Sequence, residues 1–238
     1  MTIRLGPRDF EAMQWLAEMR GAPMHVVAQL LGCSISNAQR IVDRWRKAGL
    51  VIEKGLRPVP GPSWVVPNAP TASSMLNFTV APWVPGPKDA RHHEMTGRVR
   101  LALAGGARVD SWRSERILLR DINRDAQPGK PRPHLHDGHW TDDLGRLHAI
   151  EVELTRKGSA DARTTVAAAY AAARAAGAYD LIYYCEPEVM ARVRTAVQGL
   201  DIVAGPDDPG IEMWDLNQLL NPPAVEGRRL TAAGGAAS

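Results

Sequence analysis

The chain has 238 residues, with 29 lysines and arginines against 26 aspartates and glutamates and a formal net charge of +3. This length allows two domains, each with its own core. The even charge balance excludes a uniformly basic surface, so any contact with nucleic acid needs a local basic patch. Cys33 and Cys185 lie far apart and form no metal-ligand spacing. With no signal-peptide core and no long apolar stretch, we expect a cytoplasmic protein without a membrane partner.

The first predicted element is a helix that begins at Pro7 and ends near Met19. Proline suits the first turn of a helix, because its missing N–H would have no partner there. The apolar residues recur at helical spacing. Those expected to face inward are Phe10, Met13, Leu16 and Ala17.

Residues 25–48 predict two short helices that meet at Gly32, and Ser34 is a good N-cap for the second helix. One side of that second helix is an apolar stripe at helical spacing, made of Ile35, Ala38, Ile41, Val42 and Trp45. The other side is polar and basic. A DNA-reading helix needs this division, because one face anchors it while the other presents donors to bases and cations to phosphates.

The segment after this helix predicts a hairpin, with strands at 51–54 and 64–66 around a turn rich in proline and glycine. From Ser34 to Arg57 there are six basic residues against two acidic ones. We therefore expect an N-terminal winged helix-turn-helix over residues 1–66. The alternative is an ordinary amphipathic surface helix. The expected DNA contacts are Ser36, Asn37, Gln39, Arg40, Arg44, Lys47, Lys54 and Arg57.

Residues 67–90 contain five prolines, a density that indicates an interdomain linker. A second domain is expected over 91–221, and a disordered tail over 222–238. The order of helices and strands in the second domain fits an α/β sandwich with a mixed sheet, within an overall α+β or α/β class. Its predicted helices cover 92–104, 160–176 and a segment from Pro187, and its predicted strands cover 109–112, 136–141, 147–154, 180–185 and 200–203, with a short segment at 115–119.

Acidic residues concentrate at the ends of two of these strands. Glu151 and Glu153 lie two residues apart and therefore share one face of a strand, and Asp137 is expected on the neighbouring strand. Because adjacent carboxylates repel each other, the arrangement favours a divalent cation between them. An all-oxygen site of this kind suits Mg²⁺ or Mn²⁺, with Glu115 as a further ligand. The alternative is a solvated strand face on which the glutamates pair with Arg156, Arg163 or another cation.

The loop before and into the strand at 136–141 carries His134, His136 and His139. Imidazole nitrogens at this spacing could bind a transition metal. The other interpretation is that these histidines are exposed in a proline-rich loop or lie near phosphates.

Several segments resemble known families. Asp137-Gly138, followed by Glu151-x-Glu153 and a helix, resembles the core of PD-(D/E)XK nucleases. The segments HHEMTGRVRLAL, WRSER, HDGHW, AIEVELTRKG and DLIYYC, with the N-terminal helices, are similar to actinobacterial replication-relaxation proteins of plasmids and other mobile elements. This similarity covers most of residues 7–203. It implies a protein that acts in plasmid replication and DNA relaxation.

The nuclease resemblance also implies residue roles. Asp137 and Glu151 would hold the metal, Glu153 would ligate it or orient water, and Lys157 would offset charge on the scissile phosphate. In nucleases of this fold the residue two positions after the strand acid is usually lysine, whereas here it is Glu153. Two functions therefore remain. One is a Mg²⁺- or Mn²⁺-dependent nickase; the other is a non-catalytic DNA-binding regulator or accessory factor with a degenerate nuclease domain.

In both functions the expected partner is double-stranded DNA. The sequence leaves open a homodimer and an association with replication or transfer proteins.

Overall fold

The computed structural model describes residues 5–53, 55–105, 109–127, 129–200, 205 and 208–221. Within these residues the fold is mixed α+β, with one two-stranded and one five-stranded sheet. No helix in these ranges is both long enough and apolar enough to cross a bilayer. The elements of the N-terminal region are α1 (Pro7–Glu18), β1 (Ala22–Pro23), α2 (Met24–Leu30), α3 (Ile35–Lys47), β2 (Trp64–Val65) and α4 (Ala69–Leu76).

Helices α1, α2 and α3 enclose one hydrophobic core. Helix α3 begins where predicted, because the Ser34 hydroxyl accepts a hydrogen bond from the Asn37 N–H at 3.3 Å. Its apolar stripe is shorter than expected. Ala38, Val42 and Trp45 are fully buried, but Ile35 is 52% exposed because it occupies the first position of the helix, ahead of the turns that pack. On α1 the prediction for Phe10 was also wrong, since this side chain is 50% exposed and lies outside the buried stripe.

The chain reverses after α3, but residues 51–53 do not form the predicted first strand, and isolated bridges at Val51–Pro67 and Leu56–Trp64 link the two arms. The Ile52 N–H donates to the Val66 carbonyl at 2.9 Å, and the Trp64 N–H donates to the Leu56 carbonyl at 2.7 Å. Strand β2, in the second arm, also pairs antiparallel with β1. The hairpin is therefore joined to the segment between α1 and α2.

The segment expected as a linker contains the helix α4, which the sequence analysis did not predict. The Asn68 side chain caps it by accepting from the Thr71 N–H at 2.9 Å, and Pro70 lies in its first turn. Ala72 and Leu76 are buried against Ala17 of α1. The prolines in this segment mark the start of a packed helix as well as a connection.

The second region is built on a mixed sheet, as predicted. Its strand order is β3-β4-β5-β6-β7, antiparallel from β3 to β5 and parallel from β5 to β7. Its elements are α5 (Ala90–Ala104), β3 (Trp112–Ser114), α6 (Glu115–Arg124), β4 (Gly138–Thr141), β5 (Leu147–Glu153), α7 (Ser159–Ala175), β6 (Asp180–Cys185), α8 (Pro187–Gln198), β7 (Gly210–Asp215) and α9 (Leu216–Leu220).

Helices cover both faces of this sheet. Helices α7 and α8 pack on one face with Ala149, Leu181 and Tyr183, and α5 and α9 pack on the other with Ile150 and Val152. Successive β5 residues point to opposite faces of the sheet. Glu151 and Glu153 therefore lie on the α7 side, at the C-terminal end of β5.

Two strands differ from the sequence prediction. Residues 109–111 form a 3₁₀ turn, and β3 begins only at Trp112, the first residue that pairs with β4. Residues 201–203 of the predicted strand at 200–203 lie outside the described residues. The strand that completes this edge of the sheet is β7, which was not predicted. The predicted tail at 222–238 also lies outside the described residues.

A buried ion pair joins the two regions. Arg100 of α5 donates to Glu18 of α1 at 2.7 Å, and both side chains are only 1% exposed. Arg20 and Glu115 form a second bond between the regions at 3.2 Å. The helical N-terminal region is therefore packed directly on the helices of the sheet region.

Candidate functional site

Two surfaces contain the predicted site residues. The first is the outer face of α3, which we define by six exposed residues: Ser36, Asn37, Gln39, Arg40, Arg44 and Lys47. The face opposite to it carries the fully buried Ala38, Val42 and Trp45. The helix therefore presents amide, hydroxyl and cationic donors outward along its length, as the sequence analysis expected.

Arg44 differs from the other cations of this face. Its guanidinium donates to Asp9 at 2.6 Å, and the Trp45 indole donates to the same carboxylate oxygen at 2.8 Å. Burial opposes ionisation of Asp9, but bonds from the Gly6 N–H, Trp45 and Arg44 outweigh it and hold its pKa below the ordinary 3.8. Arg44 therefore also ties α3 to α1, a role that the sequence pattern did not indicate.

Of the two predicted hairpin contacts, Arg57 is exposed, and Lys54 lies outside the described residues. Arg40 donates to the Asn37 side chain at 3.4 Å, a bond between two exposed side chains of the same helix face. The predicted DNA contacts that the structure describes thus lie on α3 and on the hairpin that follows it.

The second surface is a cavity of about 340 Å³ at the end of β5. We call it the carboxylate pocket. Three of the predicted site acids, Asp137, Glu151 and Glu153, line it, together with the basic side chains of Lys88, Arg91, His92 and Lys157. The segment before β4 brings Asp137 beside β5, because the Asp137 N–H donates to the Ile150 carbonyl at 3.1 Å.

Asp137 is held by bonds on both carboxylate oxygens. One oxygen lies 2.7 Å from His92 Nε2, and the other accepts from the Val152 N–H at 2.7 Å. Burial alone would lower the pKa of His92, but the hydrogen bond and the charge of Asp137 outweigh it and raise this pKa from 6.5 to about 9. His92 is therefore protonated at neutral pH and forms an ion pair with Asp137.

Glu151 lies deeper in the pocket, with 13% of its side chain exposed. Burial raises its pKa from 4.5 to about 7, the hydrogen bond from His134 at 2.8 Å opposes this rise, and the charge of Asp137 adds to it. The Glu151 carboxylate has the electrostatic environment expected of a functional acid.

The other two predicted metal ligands each have a basic partner of their own. Glu153 pairs with Lys157, and the carboxylate of Glu115 pairs with Arg20, although the Glu115 N–H donates to the Asp137 carbonyl at 3.3 Å. Asp137, Glu151 and Glu153 line one pocket, and Glu153 also pairs with a lysine four residues later, so their convergence on one ion stays a prediction. The Glu153–Lys157 pair agrees with the alternative in which a glutamate of this strand pairs with a cation, although that cation is neither Arg156 nor Arg163.

Sequence reasoning missed His92, which comes from α5, 45 residues before Asp137. The segment HHEMTGRVRLAL carried this histidine, but only as part of a resemblance. Its neighbour His93 has the opposite shift, because burial and then the charges of Arg20 and His92 lower its pKa from 6.5 to about 4. Two adjacent histidines of one helix therefore differ in charge at neutral pH.

A third arrangement borders the carboxylate pocket. We call His134, His136 and His139 the histidine cluster. One donor atom from each of His134, His136 and Glu151 lies within 4.8 Å of the other two. Among the residues that the structure describes, these three are the group of possible metal ligands that lie this close together. The clustering agrees with the alternative that the sequence left open for these histidines.

Comparison with known proteins adds no relative: no family model, curated protein or solved structure matches the chain. The functional argument therefore rests on the outer face of α3, the carboxylate pocket and the histidine cluster.

Proposed function

We propose that the chain is a DNA-binding protein with a winged helix-turn-helix domain over residues 1–66, in which α3 is the helix that enters the major groove. The observation that carries this proposal is the division of α3. One side of the helix is buried in the core through Ala38, Val42 and Trp45. The outer face exposes Arg40 and Lys47 to solvent. Exposed side chains of this type contact base edges and phosphates in such domains.

The order of elements supports the same proposal. A short strand separates α1 from α2, α3 follows a tight turn at Gly32, and a hairpin comes directly after α3. In this arrangement the hairpin is the wing, and Arg57 would contact the phosphate backbone. The resemblance noted in the sequence extends the proposal to replication, relaxation or transfer of a mobile element.

We further propose that the carboxylate pocket is a phosphodiester-cleaving site that uses Mg²⁺ or Mn²⁺. The donor set fits such an ion, because Asp137 and Glu151 bring carboxylate oxygens from adjacent segments to one cavity, and oxygen is the donor these ions prefer. The elevated pKa of Glu151 fits as well, since it reflects a buried acid that a cation would stabilise in its charged form. When bound, such an ion neutralises phosphate charge and helps to generate the attacking hydroxide.

The chain's own residues have distinct tasks in this proposal. Lys88 and Arg91 at the mouth of the pocket attract the phosphate backbone. His92 holds the Asp137 carboxylate through its bond at 2.7 Å. Lys157 would leave Glu153 to offset charge on the scissile phosphate.

A second candidate function is DNA binding without cleavage, and one observation favours it. Each acid of the pocket already has a basic partner: His92 for Asp137, His134 for Glu151 and Lys157 for Glu153. The lysine usual in nucleases of this fold is replaced by Glu153, and that glutamate engages Lys157. In this reading the pocket is a scaffold, and the winged helix carries the activity.

Relaxation of supercoiled plasmid, assayed with Mg²⁺, Mn²⁺ or EDTA, tests the two candidates. For the nickase we expect open-circular product with Mg²⁺ or Mn²⁺ and none with EDTA. Glu151→Gln should remove the product while duplex binding is retained. Glu188→Gln, on the exposed first turn of α8, is the matched control and should nick as the parent does.

The outcomes separate the proposals. Duplex binding without any nicking would reject the nickase and support the non-catalytic function. Nicking that survives Glu151→Gln would show that the carboxylate pocket is not the site of cleavage. Absence of duplex binding at low salt would contradict both candidates.

A further inference from the structure

The hydrogen bonds of the histidine cluster leave Nδ1 of His136 with a lone pair that can bind a metal ion. His136 is 3% exposed, and its Nε2 lies 3.0 Å from the Ala169 carbonyl, which can only accept. Nε2 therefore carries the proton, and Nδ1 of the same ring keeps its lone pair. Histidines that bind metals usually show this pattern, with the second ring nitrogen donating to a carbonyl or carboxylate that fixes the ring.

The neighbouring donors lie at distances that suit a single ion. His134 Nε2 lies 2.8 Å from Glu151 Oε1, and His136 Nδ1 lies 3.1 Å from His139 Nε2. Ligands about 2.0 to 2.2 Å from one ion are at most about 4.4 Å apart. The donors of His134, His136 and Glu151 all lie within 4.8 Å of one another, close to this limit or below it.

Two buried polar atoms next to this group lack a partner among the described residues. They are Nδ1 of His139, whose residue is 7% exposed, and the hydroxyl of Tyr183, whose residue is 2% exposed. Tyr183 pairs in register with Glu151 on the adjacent strand. Buried polar groups are rarely left unsatisfied, so these atoms indicate that the protein's own hydrogen bonds do not complete the cluster.

We propose that His134, His136 and Glu151 bind one divalent transition-metal ion of the Zn²⁺ type, with His139 as the adjacent donor. Two imidazoles in the set select against Mg²⁺, which prefers oxygen ligands, and in favour of Zn²⁺ or Co²⁺. Three protein ligands leave a coordination position for water or another small ligand. A cavity of about 390 Å³ lined by all three histidines gives the ion a path to the site.

This site is distinct from the Mg²⁺ or Mn²⁺ position proposed for Asp137 and Glu151, although both use Glu151. It does not require that the protein cleave DNA. We expect Zn²⁺ to bind here even if the protein does not nick plasmid. If the protein nicks plasmid but does not bind Zn²⁺, the Zn²⁺ site is rejected and the nickase proposal stands.

Titration of the EDTA-stripped full-length protein with Co²⁺ tests the inference. We expect one Co²⁺ per chain with visible d–d absorption, displaced by one equivalent of Zn²⁺ and retained in excess Mg²⁺. His134→Gln should weaken Zn²⁺ binding by more than about 100-fold, because it removes a direct ligand. This variant is preferred to a substitution of His136, because His136 is buried and its replacement would also destabilise the fold.

His25→Gln is the matched control, since His25 pairs with Glu94 elsewhere on the molecule and should leave Zn²⁺ affinity unchanged. Circular dichroism checks that each variant is folded. Failure of the parent protein to bind Co²⁺ or Zn²⁺ would overturn the proposal. Unchanged Zn²⁺ affinity in folded His134→Gln would also overturn it.

Discussion

The outer face of α3 and the carboxylate pocket both carry charge, but they hold it in opposite ways. On α3 the cations Arg40 and Lys47 point into solvent, and the apolar side of the helix is buried behind them. In the pocket, Asp137 and Glu151 are each bonded to a histidine from another segment. Exposed cations can bind a polyanion directly, whereas paired carboxylates must first break their existing ion pairs.

This difference has a consequence for how each region can be disrupted. Removing an exposed cation of α3 should affect binding and leave the fold intact, because surface charges contribute little to stability. Removing a buried partner should affect the fold itself. The predictions below use this contrast, from the largest expected effect to the smallest.

The largest effect is expected at the buried ion pair between the regions. Glu18→Ala leaves the Arg100 guanidinium, which is 1% exposed, without its partner. Loss of one partner of a buried pair should lower the free energy of unfolding by about 3 to 5 kcal/mol. Denaturant unfolding followed by circular dichroism measures this change.

Asp43→Ala is the matched control for that variant, because it breaks the Arg46–Asp43 pair, in which Asp43 is 60% exposed. It should change the free energy of unfolding by less than about 1 kcal/mol. Equal losses in the two variants would contradict the claim that the buried pair holds the regions together.

The next effect is expected at Gly138, directly after Asp137. A Cβ at this position would lie 2.2 Å from the Trp112 ring, which is itself buried. Gly138→Ala should therefore destabilise the sheet region by about 1 to 3 kcal/mol through overpacking. Gly55→Ala is the control, because its Cβ would meet only Ser63 at 3.9 Å.

Thermal unfolding of both glycine variants distinguishes these cases. If Gly138→Ala were as stable as Gly55→Ala, the close packing of β4 on Trp112 would be refuted. Duplex binding should persist in folded Gly138→Ala, since the outer face of α3 is remote from this contact.

The smallest effect concerns pH. The pKa of His93 is lowered to about 4 in the folded chain, against 6.5 as its ordinary value. Between these values the unfolded chain binds more protons, so the stability contributed by neutral His93 is present above pH 6.5 and is lost as pH falls towards 4. Partial exposure of the ring keeps the effect modest.

Replacing His93 with Gln removes this titration. The difference in unfolding free energy between parent and variant should therefore shift in favour of the variant as pH falls from 6.5 to 4. A difference that stays constant over this range, measured by denaturant unfolding at several pH values, would exclude His93 as a neutral buried group.

Sequence reasoning was most successful where the pattern is local. The spacing from Ala38 to Trp45 predicted the buried side of α3, and the two-residue period of β5 predicted the shared face of Glu151 and Glu153. These features depend on helix and strand geometry alone. Residues 180–185 likewise form the predicted strand, because a short run that contains Ile182, Tyr183 and Tyr184 favours a buried strand.

The remaining features depend on contacts between distant segments. Nothing near Asp137 in the sequence indicates that His92 reaches it from α5, or that Glu18 and Arg100 meet across 82 residues. The helix α4 was missed because its prolines resemble those of a linker. Lys157 was assigned to phosphate, and local sequence could not show that Glu153 would bind it.

The central claim is that the outer face of α3 binds double-stranded DNA, and the affinity of Arg40→Ala for duplex DNA across a salt series tests it most directly. We predict a loss of about 1 to 3 kcal/mol in binding free energy if Arg40 reads a base, or a salt slope reduced by about 1 if it contacts a phosphate. Arg194→Ala, an exposed arginine of α8, should bind as the parent does. Unchanged affinity and unchanged salt slope in Arg40→Ala would contradict the account.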